Sequence, residues 1–380
     1  RAGRAFAVIQ FRLLEVEEPG IPEGEVYSCA YSPDGKMVLS AGWDGNLRLW
    51  DTATGRQMVY FHTNQKALSA CNCSPDGFRW YSGSIDGLFT IWDAVSQRPK
   101  SSFLAHTRPI SSISLSHDGK KLATTSWDRR VILRATGNEQ EGHPLGVHQD
   151  VVTGCAFTMD DRHLLSWCHD GSIKIWNVVK GGEVGNLVGH RDRVHFLGIS
   201  PDGVHAISGG SDHTLRLWNV QTHSELATAT LSYEVRICFF LLDAETVLVG
   251  DAKGHLMLLR IPTFDCICEA LMPHRFLSGA LAPSSMQVAL GCNNGRVNLV
   301  QIEGMEDCPL SVTATSLRCE DKSLLGRVLG TSRSKAFFRF QCPVCNATYE
   351  KPTLPPSPFT CSQCGRHLNL RTDQPQARNP

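Results

Sequence analysis

The chain has 380 residues, of which 42% are hydrophobic and 19% are charged, and its 37 Lys and Arg residues balance its 37 Asp and Glu residues. A net charge of zero excludes long-range attraction to nucleic acid or to an anionic membrane as a default explanation of binding, so any such contact must be local. The composition is that of a globular protein with room for a large core and more than one domain, not that of a disordered tail.

The N-terminal segment reads as a strand. Residues 5–9 are apolar and follow two Arg, but Gln10 and Arg12 interrupt the apolar run and no small-residue cleavage site follows, which argues against a signal peptide. Residue 1 is not Met, so we expect the chain to be processed or to be a piece of a longer protein. The longest apolar run, residues 237–242, is far shorter than the roughly 20 residues of a membrane helix, which predicts no membrane span.

A repeat of about 42 residues follows the N-terminal segment. A Trp-Asp or Trp-Asn pair recurs at intervals of 42, 84 and 42 residues, beginning at Trp50, Trp92, Trp176 and Trp218. The doubled interval leaves a missing member at Arg134, and the same register continues to Leu259 and Val300. Seven units result.

Two turn motifs recur in the units. The first is Ser-Pro-Asp-Gly, as at residues 32–35 and 200–203, in which Pro presets φ and Gly accepts a positive φ. The second is Asp-Gly, as at residues 44–45, a dipeptide that tight hairpins prefer. Between the turns apolar and polar residues alternate, as at residues 173–176 and 215–218, which predicts strands and no long helix.

With these elements the chain resembles the WD-repeat β-propeller family over about residues 5–302. The resemblance implies an all-β fold with a seven-bladed propeller over residues 1–302. Members of the family usually close the ring with an N-terminal strand, so residues 5–15 are expected to complete the last blade. The alternative is residues 310–315, which sit where the seventh blade would find its own outer strand.

The resemblance also implies a buried hydrogen-bond network in each blade, made by His, Ser or Thr, Asp and Trp. Complete sets occur in the fourth unit, with His148, Ser166, Asp170 and Trp176, and in the fifth, with His190, Ser208, Asp212 and Trp218. The third unit has His106, Thr124 and Asp128, with Arg134 in place of Trp. His62 and His274 lie two residues out of register in the second and seventh units, and the sixth unit keeps little beyond its Gly.

Two columns of residues are expected to lie on one face of the propeller, near the central channel. The first precedes the Asp of the second turn and reads Trp43, Ile85, Trp127, His169 and Ser211; the second lies near the start of each inner strand and reads Tyr27, Ser69, Ser111, Thr153, His195 and Arg236. Exposed tryptophans anchor protein interfaces, so we hypothesise a partner-binding face made by Trp43, Trp127, His169, Tyr27, His195 and Arg236. The alternative is that both tryptophans plug the gaps between blades.

After residue 302 the repeat stops, and residues 303–339 read as a partly basic linker. Cys342, Cys345, Cys361 and Cys364 follow with the spacing C-x2-C-x15-C-x2-C, which is typical of structural zinc. Four thiolates fill the tetrahedral coordination of one Zn²⁺ and leave no open position for catalysis. The sequence therefore predicts a zinc ribbon over residues 340–371, with short strands at 337–341, 347–350 and 367–370, and a disordered tail over residues 372–380.

The 15 cysteines favour a cytoplasmic location, because an odd number of scattered cysteines does not fit a secreted disulfide scaffold. The same argument disfavours two disulfides among the four C-terminal cysteines. A redox pair is disfavoured as well, since a redox C-x-x-C normally opens a helix beside a βαβ pattern.

The sequence predicts a non-enzymatic protein-interaction scaffold with one structural Zn²⁺, a monomeric propeller that binds protein or peptide partners. No phosphate-binding loop, zinc-protease motif or serine-hydrolase motif occurs, so no catalytic residue is assigned; an enzyme in the channel is a distant third hypothesis. The principal alternative is an adaptor that binds RNA or DNA through the zinc ribbon and the linker. Its basic residues are Arg318, Lys322, Arg327, Arg333, Lys335 and Arg339, close to Phe337, Phe338 and Phe340.

Overall fold

The structure, a computed structural model, describes residues 10–14, 24–63, 66–284 and 286–303 together with their side chains. Beyond residue 303 it describes the backbone of five strands. Every regular element in these ranges is a β-strand, and contacts within the chain separate a unit ending near residue 305 from a C-terminal unit. Among the described residues, no helix is long and apolar enough to cross a membrane.

The first unit consists of seven four-stranded antiparallel sheets, which confirms the seven expected blades. The first three blades are β2 (Val26–Tyr31), β3 (Met37–Gly42), β4 (Asn46–Asp51) and β5 (Gln57–His62); β6 (Leu68–Cys73), β7 (Arg79–Ser84), β8 (Leu88–Asp93) and β9 (Arg98–Leu104); and β10 (Ile110–Leu115), β11 (Lys121–Ser126), β12 (Arg130–Ala135) and β13 (Asn138–Val147).

The fourth to sixth blades repeat the same chain order. They are β14 (Val152–Phe157), β15 (His163–Cys168), β16 (Ile173–Asn177) and β17 (Glu183–Leu187); β18 (Val194–Ile199), β19 (His205–Gly210), β20 (Thr214–Asn219) and β21 (Ser224–Thr230); and β22 (Val235–Phe240), β23 (Thr246–Asp251), β24 (His255–Arg260) and β25 (Asp265–Leu271). The seventh blade combines β26 (Phe276–Leu281), β27 (Gln287–Cys292) and β28 (Val297–Glu303) with β1 (Gln10–Leu14).

The predicted turns explain why the strands end where they do. After β2 the Ser32 hydroxyl donates to the Asp34 carboxylate at 2.6 Å, and Gly35 adopts a φ of 70°. After β3 the Asp44 carboxylate accepts the backbone N–H of Asn46 at 3.1 Å, and Gly45 adopts a φ of 72°. A residue with a side chain is strained at such angles, so glycine at these two positions fixes the hairpin connections.

The first strand of each blade lies at the centre of the ring, where it contacts the first strands of both neighbouring blades. The core lies between the blades: Leu39 and Leu47 of the first blade pack with Leu68 and Trp80 of the second. Burial of apolar surface between blades provides the stability that a single four-stranded unit lacks.

The ring closes through the N-terminal strand. β1 pairs antiparallel with β28, from Gln10 opposite Glu303 to Leu14 opposite Leu299. The alternative candidate, residues 310–315, belongs instead to a strand of the C-terminal unit. Leu14 packs against a cluster that joins the seventh blade to Trp50 of the first.

The C-terminal unit contains one five-stranded sheet. Its strands are β29 (Leu310–Cys319), β30 (Lys335–Gln341), β31 (Thr348–Lys351), β32 (Phe359–Thr360) and β33 (His367–Thr372), in the order β31-β30-β29-β33-β32. β29 and β33 run parallel, and the other neighbours are antiparallel.

This sheet differs from the expected linker over residues 303–339, because β29 and most of β30 lie within that range. β29 pairs with a strand that follows it by about 50 residues in sequence, so no local turn signal marked it as a strand. The four predicted zinc ligands, Cys342, Cys345, Cys361 and Cys364, lie outside the described residues, as do residues 373–380 of the expected tail.

Candidate functional site

Every inner strand carries a β-bulge at its second residue. In β2 the pairing with β3 passes from Val26 directly to Ser28, so Tyr27 has no partner in the ladder. The same irregularity recurs in all seven inner strands and leaves out Tyr27, Ser69, Ser111, Thr153, His195, Arg236 and Leu277. We call this set the bulge column; because a bulge re-aims a side chain, it explains why these residues can turn away from the ladder.

Six of the seven members of the bulge column line the central channel, which forms a cavity of about 610 Å³. The exception is Ser69, whose hydroxyl donates to the carbonyl oxygen of Ile110 at 2.6 Å. The Thr153 hydroxyl makes the equivalent bond to Val194 at 2.6 Å while also bordering the cavity. These two hydroxyls therefore link neighbouring blades, which is a structural role.

The larger polar members of the bulge column bond to side chains on the same face, Tyr27 and Arg236 to carboxylates and His195 to a hydroxyl. The Tyr27 hydroxyl donates to Glu25 at 2.8 Å, and the Arg236 guanidinium donates to Glu234 at 2.7 Å. His195 Nε2 lies 2.8 Å from the Ser211 hydroxyl. Burial, and secondly the charge of Arg236, lowers the pKa of His195 to about 4, so this imidazole is neutral at pH 7.

The residues predicted from the second turn form another ring around the channel. In each blade the backbone N–H of this residue donates, at 2.8–3.0 Å, to the carbonyl oxygen of the residue just before the inner strand. The donors are Trp43, Ile85, Trp127, His169, Ser211, Ala252 and Asn293, which we call the turn column. One repeated bond thus places all seven on the same face, above the start of the inner strands.

Trp43 and Trp127 do not fill gaps between blades. Their side chains are 58% and 53% exposed, whereas Trp50 and Trp218 are almost fully buried. The Trp43 ring meets the Tyr27 ring edge to face, with 6.4 Å between centroids, and a side chain at Gly24 would collide with it. The two indoles are therefore apolar surface on the face of the turn column, which we call the Trp face.

The fifth blade holds a complete polar network. The Trp218 indole N–H donates to the Ser208 hydroxyl at 2.8 Å, Ser208 lies 2.7 Å from His190 Nε2, and His190 Nδ1 lies 2.9 Å from Asp212. Burial lowers the pKa of His190, so the neutral ring accepts from Ser208 and donates to Asp212. The network satisfies buried groups that would otherwise be costly.

The third blade keeps the His end of this network, with His106 at 2.9 Å from both Thr124 and Asp128. Arg134, which replaces Trp, is buried; it donates to the carbonyl oxygen of Ala105 at 3.2 Å and its guanidinium stands over the Phe103 ring. The cation–π contact and the carbonyl bond provide part of what the indole provides elsewhere.

The fourth blade departs from the predicted network. His148 Nε2 lies 2.6 Å from Ser166, which accepts the Trp176 indole N–H at 2.7 Å, as expected. His148 Nδ1, however, faces the Ser172 hydroxyl at 3.1 Å, and Asp170 accepts the backbone N–H of Ser172 at 2.8 Å. Thr214 makes the equivalent contacts in the fifth blade, with His190 at 3.1 Å and Asp212 at 3.0 Å, so the fourth blade differs in the missing direct bond between its described Asp and His side chains.

The sequence did not identify the aromatic wall of the channel. Trp167 of β15 borders the cavity, and its ring contacts that of Phe196, which in turn contacts Phe239. Trp167 is opposite Gly154 in the ladder, where any side chain would collide with the indole. The pairing of a glycine with a tryptophan in neighbouring strands was the available signal.

The nine cysteines described with their side chains are all free thiols, and seven of them are buried. Burial raises the pKa of Cys71 and of Cys155 to about 12. The thiols of Cys71 and Cys155 are therefore protonated at pH 7 and unreactive.

Acid should destabilise the propeller through His148 and His195. Burial, and then a neighbouring cation, lowers both pKa values to about 4 from 6.5. The unfolded chain therefore binds more protons between these pH values, so the stabilisation is present above pH 6.5 and is lost as the pH falls toward 4. We expect protonation of each histidine to lower the free energy of unfolding by up to about 3 kcal/mol. Denaturant unfolding at a series of pH values measures this change. His195→Gln should flatten the profile; a profile parallel to that of the wild type would contradict this assignment.

Comparison with known families identifies five of the blades. Residues 19–51, 55–93, 97–133, 139–177 and 181–219 match the family model described as WD domain, G-beta repeat. These segments cover the first five units, and the sixth and seventh blades follow from the strand pairing. No curated protein matches the chain.

Proposed function

We propose that this seven-bladed propeller with five WD40 repeats is a non-enzymatic scaffold that binds protein or peptide partners on its Trp face. WD40 propellers commonly serve as interaction scaffolds. The observation that carries the proposal is the exposure of two indoles, Trp43 and Trp127, on one face. Trp is the residue type that most often anchors an interface, because it buries a large area at a low cost in conformational entropy.

The channel mouth adds polar groups to the apolar anchors. Tyr27 contacts Trp43 directly, and His195 and Arg236 line the same cavity. A peptide that covers the indoles thus meets a neutral imidazole and a guanidinium paired with Glu234. Apolar anchors beside a few fixed polar groups are typical of peptide-binding sites.

The double variant Trp43→Ala, Trp127→Ala tests the proposal. Each indole lost from the centre of an interface costs about 2 kcal/mol or more, which corresponds to at least about 30-fold in affinity. Partners captured from a lysate of the source cells by the immobilised wild type should be absent from the capture with the double variant. Both side chains are more than half exposed, so the melting temperature should change little.

Tyr60→Ala, Phe78→Ala is the matched control, because these two aromatic side chains are 61% and 62% exposed but do not belong to the turn column. This control should retain the partners. Equal loss of partners from both double variants would refute binding on the Trp face. Partners that disappear after nuclease treatment would instead favour the nucleic-acid alternative, which remains a prediction from the sequence.

We also propose that the C-terminal unit holds one structural Zn²⁺ through Cys342, Cys345, Cys361 and Cys364. The first pair falls in the segment between Gln341 and Thr348, which are opposite each other in β30 and β31. The second pair falls between Thr360 and His367, which are opposite each other in β32 and β33. Two C-x2-C segments between paired strands support the zinc-ribbon interpretation. We propose in addition that the protein is cytoplasmic and that its propeller is monomeric.

A further inference from the structure

The fourth blade differs from the third and fifth at the group that faces its histidine. In the other two blades a carboxylate, from Asp128 or Asp212, lies 2.9 Å from the histidine Nδ1. Both carboxylates are nearly buried. In the fourth blade, Asp170 is exposed, and His148 Nδ1 lies 3.1 Å from the Ser172 hydroxyl instead of a carboxylate. The blade network alone gives no reason for this difference.

The residue two positions before the Asp also differs in the fourth blade. It is Ser126 in the third blade and Gly210 in the fifth, but Cys168 in the fourth. Cys168 is fully buried. The His148 ring nitrogen, the Cys168 sulfur and an Asp170 oxygen all lie within 4.8 Å of one another.

We propose that His148, Cys168 and Asp170 bind a divalent transition-metal ion of the zinc type. Imidazole nitrogen, thiolate sulfur and carboxylate oxygen are the three ligand types that proteins offer to Zn²⁺. Three protein ligands leave a fourth tetrahedral position, which water or the Ser172 hydroxyl can take. The site lies in the propeller and is separate from the four cysteines predicted for the zinc ribbon.

The hydrogen bonds of His148 allow its Nδ1 to act as a ligand. A carboxylate only accepts, so the histidines of the third and fifth blades must keep a proton on Nδ1. Ser172 is a hydroxyl, which can donate, and His148 Nδ1 can therefore present a lone pair. The opposite nitrogen, Nε2, then donates to Ser166, whose oxygen has lone pairs for both this bond and the Trp176 indole. A ligating histidine normally donates its second N–H in this way.

Charge and access also fit a dication. The metal displaces the thiol proton of Cys168 to solvent, so the thiolate and the Asp170 carboxylate together balance two positive charges. Lys174, which donates to the carbonyl oxygen of Val147 next to His148, is neutralised by an ion pair with Glu183 at 2.8 Å. Asp170 is exposed, which gives the ion a route from solvent to the buried sulfur and nitrogen.

Cobalt titration of the full-length chain tests the site, because Co²⁺ replaces Zn²⁺ and a thiolate ligand gives it a near-ultraviolet charge-transfer band. The protein is reduced, stripped with a chelator and studied with Cys342, Cys345, Cys361 and Cys364 all changed to Ser. We expect one equivalent of Co²⁺ with the thiolate band. Cys168→Ser should abolish the band, and Asp170→Asn should weaken binding by about tenfold or more.

Cys292→Ser is the matched control, since Cys292 is a buried cysteine at the equivalent position of the seventh blade; it should leave the titration unchanged. Absence of the band in the four-serine protein, or its persistence after Cys168→Ser, would overturn the proposal. If Cys168→Ser unfolds the chain, the test rests on Asp170→Asn, which changes an exposed side chain. An unchanged affinity of this variant for Co²⁺ would also overturn the proposal. In the unmodified chain a second equivalent of Co²⁺ reports the zinc ribbon separately.

Discussion

Deletion of residues 1–16 is expected to lower the melting temperature of the propeller by about 10 °C. The deletion removes β1, which contributes the fourth strand of the seventh blade and pairs with β28 over five residues. We expect a loss of roughly 3–5 kcal/mol, from the backbone hydrogen bonds and from Leu14, which packs where the seventh and first blades meet. A loss of this size corresponds to a shift of that order in a protein of this length. Thermal unfolding followed by circular dichroism measures it.

Two single substitutions in β1 separate the role of the strand from that of the N-terminal residues in general. Leu14→Asp places a charge in the cluster that contains Val26 and Trp50, and should reproduce much of the effect of the deletion. Leu13→Asp changes a neighbouring side chain that is 40% exposed, and should have a small effect. An unchanged melting temperature after the deletion would contradict closure of the ring by β1.

Ser208→Ala should destabilise the fifth blade by about 2–6 kcal/mol. The Ser208 hydroxyl is fully buried and joins two groups, the Trp218 indole N–H and His190 Nε2. Its removal leaves both without a partner, and each such buried group costs about 1–3 kcal/mol. Denaturant unfolding, with the free energy extrapolated to water, gives the difference from the wild type.

Ser40→Ala in the first blade is the matched comparison. Ser40 is equally buried and accepts the Trp50 indole N–H at 2.8 Å, but no described histidine bonds to it. The substitution therefore leaves a single group unpaired, and we expect about half the cost of Ser208→Ala. Equal costs in the two blades would show that the histidine contributes nothing to stability through this serine.

The fold could be predicted from the sequence because the same turn and strand signals recur in successive repeats. The Trp-Asp pairs, the Ser-Pro-Asp-Gly turns and the Asp-Gly turns fall in one register, and each has a local physical cause. The alternation at residues 215–218 corresponds to β20, and that at residues 173–176 corresponds to β16. The strands of the C-terminal unit could not be placed in this way, because β29 and β33 pair over a long stretch of chain without a repeated signal.

The candidate site was only partly predictable. The position of Trp43 follows from a backbone bond that every blade repeats, so its place in the turn column could be inferred. Asp170 and His148 Nδ1 both contact Ser172, whereas the repeated pattern predicts a direct bond between Asp170 and His148, and residue identities alone do not show which of these contacts forms. Trp167 reaches the channel only because Gly154 leaves space for it in the neighbouring strand.

The bulge column provides positions at which substitutions can change the binding specificity of the propeller without altering its strand pairing. A residue that takes no part in the ladder can be exchanged without shifting the register of its strand, and Tyr27, His195 and Arg236 meet this condition around one opening. Ser69 and Thr153 also lie outside the ladder, but their hydroxyls join neighbouring blades, so these two positions should be kept. A library randomised at the first three positions alone would sample new specificities while every blade keeps its pairing.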